Sequence, residues 1–215
     1  MTQAPPSFDA AFAAQLEQLL HWRRDVRHFD TRAIPRGDIE HLLRCASLAP
    51  SVGNSQPWRF VRVRSPGLRE RLARHVDEQS ALAAERYNDA KQRDHYKSLK
   101  LHGLREAPEV MAVFCDGKPV AGKGLGIATM PEMLDYSVVM AIHTMWLAAR
   151  VRGIGMGWVS IVDPRFVSEL LDVADTWRLI AILCIGYPCE AAATPELEER
   201  GWQAREAWKE RTCEK

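Results

Sequence analysis

The chain changes from a helical to a strand pattern within residues 49–58, which read Ala-Pro-Ser-Val-Gly-Asn-Ser-Gln-Pro-Trp. Apolar residues at helical spacing predict a helix over 36–48, which Pro50 ends because a proline pushes the residue before it out of the helical region. The alternating residues 58–63 predict a strand. A polar loop between two prolines suits a ligand cradle, and its alternative is a structural turn. Four of its side chains carry hydrogen-bonding groups: Ser51, Asn54, Ser55 and Gln56.

Similar patterns along the whole chain predict an α+β fold in one domain, residues 1–215. Short apolar runs predict buried strands, and longer periodic segments predict helices. The further strands are expected at 110–114, 157–162 and 179–186, and the further helices at 7–22, 131–152 and 164–171. The highly charged residues 67–103 predict a solvated helical excursion or a mobile lid. The polar tail, 195–215, has no core of its own and is expected to pack on something else, such as a partner subunit.

The composition excludes several classes of protein. The 29 Lys and Arg against 28 Asp and Glu give a formal charge of +1, so no global field drives the chain onto nucleic acid or an anionic membrane. The longest apolar region, 134–151, is interrupted by charged residues and is too polar for a lipid-spanning helix. Five scattered cysteines without a C-x-x-C pair predict reduced thiols and a cytoplasmic protein. The seven histidines show no metal-ligand spacing, so no metal site is expected.

A cluster of arginines follows the first predicted helix, where residues 23–27 read Arg-Arg-Asp-Val-Arg. Three neighbouring guanidinium groups repel one another, and their forked donors match the oxygens of a phosphate. This predicts an anion site, and the alternative is a solvated basic helix end. Asp25 is then either an internal counter-ion or a carboxylate held beside a bound ligand.

A third segment, residues 153–160, reads Gly-Ile-Gly-Met-Gly-Trp-Val-Ser. The dinucleotide-binding fingerprint follows a strand and opens a helix, whereas this segment precedes a strand, so we reject that interpretation. The glycines instead predict a close approach of the backbone to a planar ligand. Ser160 is expected on the strand that follows.

Taken in this order, the three segments resemble the flavin-dependent nitroreductase superfamily. The resemblance implies a nitroreductase-like fold, with a central mixed sheet flanked by helices, in a domain-swapped homodimer that binds two FMN molecules at its interface. The usual serine of the first motif is replaced here by Asp25. With the further segments 99–108, 124–132 and 195–202, the chain resembles one branch, over residues 16–205. That branch cleaves reduced FMN with O2 to 5,6-dimethylbenzimidazole, the lower ligand of vitamin B12, and erythrose 4-phosphate.

The resemblance also implies which residues hold the flavin. The arginines of residues 23–27 and Arg205 would hold the phosphate and ribityl chain, and the loop of residues 50–56 would come from the other subunit. Residues 96–101 would cover the site as a lid, and Asp25 and Ser160 would do the chemistry. The implied flavin-binding residues are Arg23, Arg24, Asp25, Val26, Arg27, Pro50, Ser51, Gln56, Leu101, Ser160 and Arg205.

Two alternatives remain at this point. An NAD(P)H-dependent FMN nitroreductase or flavin reductase is favoured by Asn54 and disfavoured by Asp25 and the lid-like insertion. A flavin carrier or basic-loop binding module without catalysis gives Asp25 no task. In the leading interpretation reduced FMN is the substrate, a closed site keeps water from reactive species, and a separate NAD(P)H flavin reductase supplies the reduced flavin.

Overall fold

The computed structural model describes residues 5–215 and confirms the α+β fold. The predicted domain also includes residues 1–4, which lie outside the described residues. The helices are α1 (Ala10–Trp22), α2 (Arg36–Ala46), α3 (Pro66–Ala84), α4 (Ala90–Ser98), α5 (Met133–Val151), α6 (Pro164–Leu171) and α7 (Glu196–Glu199). The strands are β1 (Phe29–Asp30), β2 (Trp58–Arg62), β3 (Glu109–Asp116), β4 (Gly155–Val159) and β5 (Trp177–Pro188).

The five strands form one sheet in the order β1-β5-β3-β2, with β4 also paired to β5. The prediction of a mixed sheet was wrong, because every hydrogen-bonded pair of these strands is antiparallel. β3 and β4 do run parallel to each other, as expected for strands joined by a long helix, but β5 lies between them. Among residues 5–215, parallel pairing is confined to a bridge between Asp25 and Met156.

Helices cover both faces of this sheet. Alternate residues of β3 point to opposite faces: Met111, Val113 and Cys115 join α2 and α5 in one core cluster, and Val110, Ala112 and Phe114 join α3 and α6 in the other. Because both of their faces are buried, the central strands β3 and β5 are nearly continuous apolar runs, as the sequence predicted.

The apolar helix α5 is central. It buries eight residues, among them Ile142, Met145 and Trp146, and its bounds agree with the predicted helix to within two residues. In the part of the chain that the structure describes, no helix is both long and apolar enough to cross a membrane.

The charged segment 67–103 is helical, but its first half is no solvated excursion. α3 buries Leu72, Ala73 and Val76 against the sheet, because these residues share one face of an otherwise charged helix. The part that remains a candidate lid is therefore α4 and the residues that follow it.

The tail packs on this same chain up to Trp202. The Trp202 ring lies 5.7 Å from the Tyr87 ring and 6.0 Å from the Tyr96 ring of the α4 region, measured between ring centroids. Residues 203–215 are exposed. The prediction that the tail packs on a partner subunit therefore narrows to residues 203–215.

The helix α1 has no buried residue, although it carries an apolar stripe. Phe12, Leu16 and Leu20 are each more than 40% exposed. A helix of this composition gains most of its stability by covering its apolar face, and a single chain leaves that face uncovered.

Candidate functional site

The arginine segment runs along the edge of the sheet beside β4. The Val26 N–H donates to the Met156 carbonyl at 2.9 Å, so residues 25–27 extend the sheet by a short parallel contact. A Cβ added to Gly157 would collide with the Val26 carbonyl oxygen, and one added to Gly155 would meet the Val26 side chain. The glycines were expected to admit a planar ligand; within this chain they admit the segment that carries the arginines.

This segment forms one wall of a cavity of about 590 Å³. Residues 188–200, at the end of β5 and after it, form a second wall, and Trp146 and Arg150 of α5 form the base. The cavity is lined by Trp22, Arg23, Arg24, Asp25, Val26, Arg27, His28, Trp146, Arg150, Ile154, Gly155, Pro188, Cys189, Glu190, Ala191, Ala192, Thr194, Glu196, Glu199 and Arg200. Five of the predicted flavin-binding residues, 23–27, are thus brought together in one concave site.

Positive charge is concentrated at this wall. Burial lowers the pKa of both Arg23 and Arg24, and the charge of Arg205 lowers both further, although Arg205 itself is exposed and does not line the cavity. Arg150 adds to the effect on Arg24, while the carboxylate of Asp25 opposes the effect on Arg23. Guanidinium groups that lower one another's pKa are stabilised by a bound dianion, which favours the phosphate prediction over a solvated helix end.

Trp146 of α5 holds the arginine segment in place. Its indole Nε1–H donates to the Arg24 carbonyl at 3.1 Å, and the Arg23 guanidinium lies 5.2 Å from the centroid of its ring. The Arg24 Nε–H donates to the Ala193 carbonyl at 3.0 Å. Sequence reasoning missed Trp146 and Arg150, and the available signal was a tryptophan and an arginine one turn apart on an apolar helix.

Asp25 is bound by two donors. Its Oδ1 accepts from the Trp158 N–H at 2.8 Å, and its Oδ2 accepts from the Arg27 Nε–H at 3.0 Å. Burial raises the pKa of Asp25 above its ordinary value, and the Trp158 N–H and the charge of Arg27 oppose that rise. The side chain is 35% exposed. A carboxylate with a raised pKa that still meets solvent is suited to accept and release a proton.

The polar loop after α2 is folded but lies elsewhere. None of Pro50, Ser51 and Gln56 lines the cavity of the arginines. Its backbone takes left-handed conformations, with φ of 56° at Gly53 and 48° at Gln56. The Gln56 N–H donates to the Ser51 Oγ at 3.0 Å. One chain therefore does not bring the two halves of the predicted flavin site together.

Two other predicted site residues, Ser160 and Leu101, do not line the cavity. The strand β4 ends at Val159, so Ser160 is exposed after it and not on it, which corrects the predicted strand of 157–162. The strand begins two residues earlier than expected because its glycines pack against residues 25–27. Leu101 follows Lys100, whose carbonyl accepts from Arg27 at 3.2 Å. The catalytic role of Ser160 and the lid role of Leu101 stay predictions.

The sequence model of the nitroreductase family matches residues 20–187 of the chain. A 5,6-dimethylbenzimidazole synthase of Rhodospirillum rubrum is 54% identical over 93% of this chain and 94% of its own length. One of Rhodobacter capsulatus is 44% identical over 92% of this chain and 95% of its own length.

A solved structure adds a flavin-bound comparison. The crystal structure of an iodotyrosine deiodinase bound to FMN and 3-iodo-L-tyrosine superposes with a TM-score of 0.69 at 27% identity. The match covers 82% of this chain and 91% of the deiodinase chain.

Proposed function

This chain belongs to the nitroreductase family, and we propose that it is a 5,6-dimethylbenzimidazole synthase, which fragments reduced FMN with O2 and releases erythrose 4-phosphate. Relatives of that name match more than nine-tenths of the chain at 44% and 54% identity. The observation that carries the proposal is Asp25: a carboxylate with a raised pKa stands inside an arginine cluster, where the family motif has a neutral serine.

The residues of the cavity fit FMN. The mutual repulsion of Arg23, Arg24 and Arg205 is relieved by a phosphate dianion, and about 590 Å³ is ample for a flavin. The FMN-bound deiodinase shares the fold. When bound, reduced FMN would supply the electrons that reduce O2 and all the atoms of the benzimidazole: the dimethyl-substituted ring with its two nitrogens, and the one ribityl carbon that is not released in erythrose 4-phosphate.

The protein's own residues then have four tasks. Arg23, Arg24 and Arg205 bind the phosphate and so fix the flavin's position. Asp25 takes up or releases a proton at its carboxylate, held in orientation by the Trp158 N–H and Arg27. The chain from Pro188 to Arg200 covers one side of the cavity and limits the entry of water. Ser160 and Leu101 are proposed to reach the flavin's ring edge and its exposed face.

We expect the functional unit to be a homodimer. The exposed apolar face of α1 needs a cover, and the loop of Pro50, Ser51 and Gln56 stands apart from the arginines of its own chain. A second copy accounts for both observations, because it hides the helix and brings its own loop to the arginine wall.

Charging the exposed face of α1 is therefore expected to remove flavin binding as well as dimerisation. Leu16→Glu should shift the protein to monomers in analytical ultracentrifugation and abolish the binding of FMN measured by fluorescence. Glu17→Gln, on the same helix, is the matched control and should change neither. A monomeric Leu16→Glu variant that still binds FMN would show that the site lies within one chain.

The proposed activity is tested with chemically reduced FMN in air. We expect the flavin to be consumed and 5,6-dimethylbenzimidazole to appear by chromatography and mass spectrometry, without added nicotinamide. Reoxidised FMN without product, together with rapid NAD(P)H oxidation in the presence of a nitroaromatic compound, would instead identify a nitroreductase. We also propose that a separate NAD(P)H flavin reductase supplies the reduced FMN. The protein is expected in a reducing cytoplasm, where its five free cysteines stay as thiols.

A further inference from the structure

A second cavity, of about 310 Å³, lies at the β2 side of the sheet. It is formed by the end of β2, the starts of α2 and α3 and the turn before β3. None of its residues lines the cavity of the candidate flavin site. Its lining residues are Ala33, Ile34, Arg36, Arg62, Val63, Arg64, Arg69, Pro108 and Glu109, which include four arginines and one carboxylate.

The single carboxylate is already neutralised. Arg62 donates to both oxygens of Glu109, at 2.7 Å from Nε and 2.8 Å from Nη2. This bidentate pair crosses between neighbouring strands and leaves no negative charge for the other three arginines.

Of the remaining arginines, Arg64 and Arg69 have no carboxylate partner among residues 5–215, whereas Arg36 forms an ion pair with Glu40. Arg69 donates to the backbone carbonyls of Leu104, Ala107 and Pro108, which orient its guanidinium but carry no charge to cancel its own. Arg36 uses only Nε in its 2.7 Å bond to Glu40. Within residues 5–215, Arg64 makes no hydrogen bond or ion pair.

The backbone adds to the positive potential. α2 begins at Arg36 without a side-chain cap, and α3 begins at Pro66, two residues after Arg64, with the Ser65 side chain as its N-cap. The N-terminal ends of both helices thus lie beside the cavity, where the helix dipole favours a bound anion. These helix ends add to the positive potential of the arginines, which are the main source of that potential.

We propose that this cavity binds a phosphate group, either as inorganic phosphate or as a small phosphate monoester, through Arg64, Arg69 and Arg36. Guanidinium groups that approach from different elements suit the several oxygens of a tetrahedral dianion. The volume admits a phosphate with a short carbon chain, for which Ala33 and Ile34 supply an apolar edge. The site is independent of the proposed flavin chemistry.

Calorimetric titration in phosphate-free buffer tests the site. We expect Arg64→Ala to weaken the binding of inorganic phosphate about tenfold or more, since a hydrogen bond to a charged group contributes about 1.5–3 kcal/mol. Arg71→Ala removes an equal charge from the exposed face of α3 outside the cavity and should leave the affinity unchanged. Arg24→Ala, in the flavin site, should also leave this binding event in place.

Glycerol 3-phosphate distinguishes the two sources of phosphate. Equal affinity for inorganic phosphate and glycerol 3-phosphate would identify free phosphate as the ligand of this cavity. Tighter binding of glycerol 3-phosphate would identify a phosphorylated metabolite. A phosphate-induced rise in Tm that Arg64→Gln removes is a second measurement on intact protein. The proposal is overturned if the wild type binds neither ligand at millimolar concentration, if Arg64→Ala binds like the wild type, or if Arg71→Ala weakens binding equally.

Discussion

Asp25→Asn is expected to lower the yield of 5,6-dimethylbenzimidazole from bound reduced FMN by about 10²–10⁴-fold, the usual contribution of a general acid or base. The substitution preserves the size of the side chain and lets an oxygen keep the 2.8 Å bond from the Trp158 N–H. It removes the negative charge and the oxygen that accepts from Arg27. The flavin phosphate is bound by other residues, so FMN should still bind.

Single-turnover assays that score the product, and not flavin oxidation, separate catalysis from binding. Asp30→Asn is the matched control, because it makes the same chemical change at an exposed carboxylate a few residues along the same segment. If Asp25 is only a counter-ion, its variant will change FMN affinity and give the wild-type product yield per bound flavin. That outcome would remove Asp25 from the mechanism.

The pH profile supplies an independent readout for the same residue. Burial raises the pKa of Asp25, so its carboxylate becomes protonated at a pH above the ordinary value for an aspartate. If the ionised form accepts the proton, product formation falls as the pH drops through that raised pKa. The Asp25→Asn variant should lack this acidic limb.

The fold was largely predictable from local patterns. The run of residues 110–114 and the helix at 131–152 are so apolar that only a buried strand and a central helix accommodate them, and both are found, with β3 longer at each end. α3 was misjudged because charged residues are interspersed among its apolar ones, and a sequence does not show that Leu72 and Val76 meet a sheet.

The site was predictable where it is contiguous in sequence and not where it depends on distant contacts. Residues 23–27 form a cavity wall as expected, whereas Trp146 reaches them across 122 positions of the chain. Ser160 was predicted to lie on β4 but directly follows it, because the strand spans residues 155–159, where its glycines pack against Val26. The glycines of residues 153–157 do signal a close backbone approach, but the local sequence does not show that its partner is Val26.

The binding of FMN is expected to depend most on Arg24. Arg24→Ala should weaken FMN binding by about 2–5 kcal/mol, or roughly 30-fold to several-thousand-fold, the range for truncating one partner of a buried charge pair. Trp146 holds the backbone of Arg24, and the Arg24 Nε–H donates to the Ala193 carbonyl at 3.0 Å. The guanidinium group is therefore oriented before the flavin binds. A phosphate dianion is a stronger acceptor than this neutral carbonyl and takes its place.

Arg24→Lys separates charge from geometry, because lysine keeps the positive charge and loses the forked pair of donors. Its FMN affinity should lie between those of the wild type and Arg24→Ala in a fluorescence titration. At saturating reduced FMN, both variants should regain most of the product yield per bound flavin, since Arg24 positions the phosphate and does not move protons. Wild-type FMN affinity in Arg24→Ala would place the phosphate elsewhere in the protein.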